Sequence, residues 1–168
     1  MMALRMDHDT AFTNTTCYDD PLVDDTELLW RLVETVVDTG ASGQGRRPKS
    51  CNLRNAQMSV DRAKMSTVED TLCLQPHRDI AQFTAKSVRA IGLRVYADPC
   101  YVCRQCGDHL GTQRVPCPTC QSGARVYHNQ AHAIVCPEMR EGAARKFAKE
   151  QAVVLEITQE IRNRAKGL

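Results

Sequence analysis

The chain has 168 residues, with 22 Lys and Arg against 20 Asp and Glu, a net charge of +2. That length holds one domain, or one domain carrying a small module, and that charge excludes a strongly basic protein that coats nucleic acid through charge alone. No apolar run approaches the roughly 20 residues that span a bilayer, and residues 1–20 have no apolar core to serve as a signal peptide, so no membrane association and a cytoplasmic location are expected.

Residues 1–22 read as an acidic flexible arm. Asp7, Asp9, Asp19, Asp20, Asp24, Asp25 and Glu27 crowd the first 28 positions against Arg5, and the Thr-, Asn- and Asp-rich start has no periodicity. Asp24 to Asp38 reads as an amphipathic helix. Asp24 stands as N-cap with Glu27 three residues on, Leu28, Leu32 and Val36 recur every four residues, and Leu29, Val33 and Val37 repeat that spacing beside them. Gly40 stops it, and Thr39–Ser50, Gly-rich and then basic, reads as a loop in which Arg46 and Arg47 suit a phosphate or partner contact.

Asn55–Asp61 alternates weakly as a strand, and Ser66-Thr67-Val68-Glu69 is a capping box for a short helix running to about Leu74. Ile80–Ala85 reads as a strand, Lys86–Ile91 as a helical turn closed by Gly92, and Leu93–Tyr96 as a strand ended by Asp98-Pro99. Ala131–Val135 is a further strand. Pro137 then opens a long C-terminal helix with Met139, Ala143, Phe147, Val154, Ile157 and Ile161 on its apolar side, ended by Gly167. The sum is an α+β chain, a small mixed domain.

Nine cysteines in a reducing compartment point to metal ligands, catalytic groups or buried thiols rather than disulfides. Cys17, Cys51 and Cys73 are scattered, but Cys100, Cys103, Cys106, Cys117 and Cys120 fall within 21 residues, and Cys136 follows. Cys103-x2-Cys106 and Cys117-x2-Cys120 are two matched turns, each of which aims two sulfurs at one ion, so together they supply a four-cysteine tetrahedral centre. With all four positions filled by protein, that ion is structural.

Cys100 overlaps the first turn and offers an alternative set, Cys100, Cys103, Cys117 and Cys120; Gly107, placed where a positive φ is required, favours Cys106. His109, His128 and His132 are further donors, but on a strand His128 and His132 stand ~13 Å apart, too far to share an ion without a bend.

The stretch YVCRQCGDHLGTQRVPCPTC, from Tyr101 to Cys120, resembles the zinc-ribbon and rubredoxin-like modules, whose pattern is Y-x-C-x-x-C-G followed by C-P-x-C. The chain departs from it in a short spacer between the turns and in Gln121, where Gly is common. Rubredoxin-like sites can hold iron, but a lone iron centre would have no redox partner here, so Zn2+ is expected. Outside this stretch, short pieces are similar to a set of small uncharacterised bacterial proteins: Leu29-Trp30-Arg31-Leu32-Val33, Arg47-Pro48-Lys49-Ser50, Ser59-Val60, Thr84-Ala85, Val88-Arg89, Gly92-Leu93, Asp98-Pro99 and Ala131-His132-Ala133. In that set the Asp-Pro and Ala-His-Ala segments lie close together. Residues 100–125 then stand as an inserted ribbon within a body formed by 23–99 and 126–168.

Leu29-Trp30-Arg31, a loop bearing Arg47, and a Ser-bearing strand also resemble the opening of RES-type ADP-ribosyltransferase-like domains. That resemblance implies NAD contacts from Arg31 or Arg47, Ser59 and His132. Three functions are therefore in view. The first is a non-enzymatic binding module that docks Arg104, Arg114 and Arg125 on nucleic acid or on a protein complex that handles it. The second is an NAD-using transferase, and the third is a structural subunit packing its helices on a partner.

Overall fold

The computed structural model describes residues 17–38 and 45–168. In chain order the strands are β1 (Leu28–Val33), β2 (Thr35–Asp38), β3 (Gly45–Pro48), β4 (Met58–Arg62), β5 (Asp79–Thr84), β6 (Arg94–Ala97), β7 (Cys100–Cys103), β8 (Val126–Asn129), β9 (His132–Cys136) and β10 (Val153–Val154). The helices are α1 (Val68–Leu72), α2 (Ala85–Arg89), α3 (Glu141–Glu150) and α4 (Gln159–Lys166). Six strands form one antiparallel sheet in the order β10-β5-β1-β4-β9-β6, while β2-β3 and β7-β8 form two small ribbons. The chain is thus a mixed α/β fold built mostly on antiparallel sheet.

Both faces of the sheet are covered. On one, Leu29, Val60, Phe83, Val95, Ala133 and Val135 pack with Val88 of α2 and with Ala144, Phe147 and Ala148 of α3. On the other, Ile80, Trp30 and Leu32 pack against Leu72 of α1 and against Ile161 and Ala165 of α4. The α1 cap is Thr67, whose hydroxyl accepts from the Asp70 N–H at 3.1 Å, one residue later than the expected Ser66.

The expected strands over 55–61, 80–85, 93–96 and 131–135 are present as β4, β5, β6 and β9, and Gly92 closes the turn after α2 at φ 84°. The expected helix over 24–38 is not. Its residues form β1 and β2, with β1 lying between β5 and β4. A spacing of four residues shares a face in a strand as well as in a helix, and a central strand buried on both sides shows no alternation to break the tie. The Trp, Val and Thr content of Trp30 to Val37 then favours extended backbone. Asp24 and Glu27 still meet, the Asp24 N–H donating to Glu27 at 3.1 Å, but around a turn that leads into β1.

The expected loop over 39–50 contains β3, paired with β2, and its residues 39–44 lie outside the described part. The expected long C-terminal helix is two shorter ones. The Cys136–Pro137 peptide is cis, α3 starts after Arg140, and the β-branched pair Val153-Val154 leaves the helix to add the edge strand β10 to β5. Ala143 is exposed; its neighbour Ala144 carries the packing.

Cys17 and Cys136 form a disulfide, against the expectation of separate thiols. Residues 17–20 lie along the free side of β6: Tyr18 stacks on Tyr96 at 4.6 Å, and the Asp20 N–H donates to the Val95 carbonyl at 2.8 Å. Of the expected arm, residues 1–16 lie outside the described part.

Candidate metal centre

The chain leaves the sheet after β6, runs out along β7, returns along β8 and re-enters at β9. β7 and β8 pair from Cys100↔Asn129 to Cys103↔Val126, so the hairpin that carries the cysteines extends to Asn129. At its tip, backbone bridges Val102↔His109 and Cys117↔Ser122 fold each Cys-x2-Cys turn back on itself. Gly107 takes φ 82° directly after Cys106, and Gln121 takes φ 52° after Cys120, where the ribbon pattern has Gly.

Cys103, Cys106, Cys117 and Cys120 converge within metal-binding distance. Four sulfurs about 2.3 Å from a central zinc stand about 3.8 Å apart at the corners of a tetrahedron. The Cys103–Cys120 pair is separated by 3.8 Å and the Cys106–Cys117 pair by 3.5 Å. Cys103 and Cys117 are buried while Cys106 is exposed, so the centre sits in the hairpin with one edge towards solvent. Burial opposes ionisation of the Cys103 thiol, but the Cys106 and Gln105 backbone N–H groups aimed at its sulfur outweigh burial and bring it down to about 7. Cys106, despite a backbone N–H from Asp108, is pushed up to about 12 by its neighbouring sulfurs, and Cys120 is raised as well.

Cys100 does not belong to this set. It is buried at the root of the hairpin, where it groups with His109 and His132. Burial first, then the Asp98 and Asp61 carboxylates, push the Cys100 thiol up to about 11. His128 is exposed and stacks on Tyr101 at 4.6 Å, away from both groups.

Of the basic residues expected to bind a partner, Arg114 and Arg125 are exposed on the hairpin. Arg104 is half-buried: its guanidinium lies 4.2 Å over the Tyr127 ring, donates to the Leu168 carbonyl at 3.2 Å and pairs with Asp70 at 3.5 Å. It ties the hairpin to α1 and to the last residue of the chain. Arg46 is exposed and pairs with Asp79 at 3.3 Å, and Arg47 is half-buried on β3.

Arg31, Ser59 and His132 line one cleft of 440 Å3, which Asp61, His109 and Tyr127 also line. Arg31 lies on β1 and donates to the Ser59 and Asn52 carbonyls at 2.9 and 3.2 Å. Asp61 faces the same space with its carboxylate held by Thr71 at 2.7 Å and Asn129 at 3.0 Å. Sequence spacing alone offered no route to Asp61 or His109 as neighbours of His132. They meet because β4 pairs Asp61 with His132 and the hairpin folds His109 back over both.

No protein-family model matches the chain, and no match is found among curated proteins or among solved structures. The four-cysteine cluster stands on its own geometry. No helix among the described residues is long and apolar enough to cross a membrane.

Proposed function

We propose that the chain is a zinc-stabilised binding module. The observation that carries this reading is the convergence of Cys103, Cys106, Cys117 and Cys120 on one point at zinc-like separations. Four thiolates complete a tetrahedral shell and leave no coordination position for a substrate, so the role of this ion is to hold the hairpin's shape. Zn2+ suits a four-sulfur set with no redox partner beside it. The shaped hairpin presents Arg114 and Arg125, with Asp108 as its single acid between residues 101 and 125. Those charges suit docking on nucleic acid or on a protein complex that handles it, with modest affinity given the net charge of +2.

Two measurements test this. Cys106→Ser is expected to remove one zinc per chain from the purified protein, by elemental mass spectrometry; an unchanged metal content overturns the four-cysteine centre. Arg114→Gln with Arg125→Gln is expected to weaken salt-sensitive binding to single-stranded RNA or duplex DNA and to reduce the slope of log K on log salt by about 2. Binding that is equally tight in the double variant sinks the docking role.

A second reading is favoured by the cleft, which gathers Arg31, Ser59 and His132 in one place. An NAD-using transferase would place a phosphate near the half-buried Arg31 guanidinium there. A thermal shift with NAD, abolished by Arg31→Met, supports it; no shift with NAD removes it.

A further inference from the structure

Cys100, His109 and His132 present one sulfur and two ring nitrogens that all lie within 4.8 Å of one another. Zinc bonded to sulfur at about 2.3 Å and to nitrogen at about 2.1 Å sets those two atoms about 3.6 Å apart in a tetrahedron. Cys100 Sγ and His109 Nδ1 stand at 3.6 Å. The His109 and His132 rings meet edge to face, 4.7 Å between centroids at 69°.

The His132 side chain is 4 % exposed. Its Nδ1 faces two acceptors, the Asp98 carbonyl oxygen at 2.8 Å and the Asp98 carboxylate at 3.1 Å. Those contacts fix the proton on Nδ1 and leave a lone pair on Nε2. Nε2 is buried with no hydrogen-bond partner. A buried acceptor without a partner is destabilising, and a metal ion removes that penalty. A histidine oriented through its other nitrogen by a carboxylate is also the usual support of a metal ligand. Charge agrees: the position lies beside Asp98 and beside Asp61, whose strand pairs it with His132.

We infer that Cys100, His109 and His132 form a second zinc site, distinct from the four-cysteine centre, with its fourth position open to the cleft. His109 and His132 both line that cleft. Three protein ligands with a vacant fourth corner is the arrangement in which zinc takes water or an exchangeable small ligand. The ligand class it admits is a small anion or an oxygen- or sulfur-bearing molecule, entering past Ser59, Asp61 and Tyr127. One thiolate with two imidazoles also suits copper in a trigonal site, but such sites add a long axial ligand, commonly Met. No methionine lines the cleft.

The test uses the full chain. Purified protein is expected to hold two zinc ions, and His109→Ala one. His109 is exposed, so its removal leaves the core intact. Equal metal content in wild type and His109→Ala overturns the site. The unsubstituted protein gives an independent answer by 113Cd NMR. Two resonances are expected, one at the shift of four sulfurs and one upfield, where a single sulfur shares the ion with nitrogens. A four-sulfur resonance alone overturns this site and leaves the ribbon standing. An upfield resonance alone overturns the ribbon and leaves this site standing. In the cobalt-substituted protein, azide is expected to shift only the bands lost in His109→Ala; unmoved bands overturn the open fourth position. A stable blue copper adduct with no zinc bound overturns the choice of metal.

Discussion

Glu27 enters β1 with its carboxylate closed over by Arg62 at 2.7 Å and Lys64 at 2.8 Å, and its side chain is 4 % exposed. The Arg62 hydrogen bond, acting against burial, holds the acid down at about 2, against 4.5 when unperturbed. Because the folded value is the lower one, the contribution to stability is complete above pH 4.5 and is lost as pH falls towards 2. Glu27→Gln is expected to destabilise the fold by about 3 kcal/mol at neutral pH, since it leaves a buried guanidinium uncompensated. It is also expected to flatten the acid limb of the stability curve. Urea melts at pH 7 and pH 3 check both, and a variant with an unchanged acid limb would show that Glu27 is not the titrating group. The same residue shows where sequence reading stops. Three-residue spacing from Asp24 suggested the cap of a helix that is not there, and nothing in the spacing pointed to Arg62, 35 positions away.

At the level of elements, the short segments bounded by turn residues were legible as strands, including β5 and the fully buried β9, and the longer segment that became β1 and β2 was not. β4 reads buried, half-buried, buried along its length, as its sequence suggested. β1 carries apolar residues on both sides because helices cover both faces of the sheet, and this erases the signal that separates strand from helix. The C-terminal segment failed for another reason: an unbroken apolar stripe does not reveal that Val153-Val154 is taken by the edge of β5. Within α3, Phe147 is buried and meets Phe83 edge to face at 5.2 Å. Phe147→Ala is expected to destabilise by about 3–5 kcal/mol, by chemical denaturation. Gly142, in the first turn of α3, has open space where a Cβ would stand. Gly142→Ala should therefore stabilise by up to about 1 kcal/mol; a lower melting temperature would contradict that view of α3.

Across the whole molecule, the cysteines divide by depth. The tip of the hairpin holds four, its root holds Cys100 with two histidines, Cys17 is tied to Cys136 on the same face of β9 as His132, and Cys51 and Cys73 stand apart. The first group was legible because its ligands are local in sequence. The second was not, since its members come from positions 100, 109 and 132 and meet only once β6, β9 and the hairpin are assembled. The disulfide spans 119 residues, long enough for its loss to be felt mainly in the unfolded chain. Cys17→Ser with Cys136→Ser is expected to lower stability by about 2–4 kcal/mol under oxidising conditions and to change nothing under reducing ones. Intact-mass measurement before and after alkylation reports whether the bond is present.

The hairpin grows from between two strands that are already hydrogen-bonded neighbours, with Ala97 opposite Ala133. It is a side branch, joined to the body by the Arg62 N–H donating to the Ala131 carbonyl, by Asn129 on Asp61 and by Arg104 on Asp70. Excision of residues 99–131 and closure with an Asn-Gly turn would turn β6 and β9 into an ordinary tight hairpin. The body would then be expected to fold as a zinc-free miniature, and the excised branch to be transplantable onto any antiparallel pair of similar width.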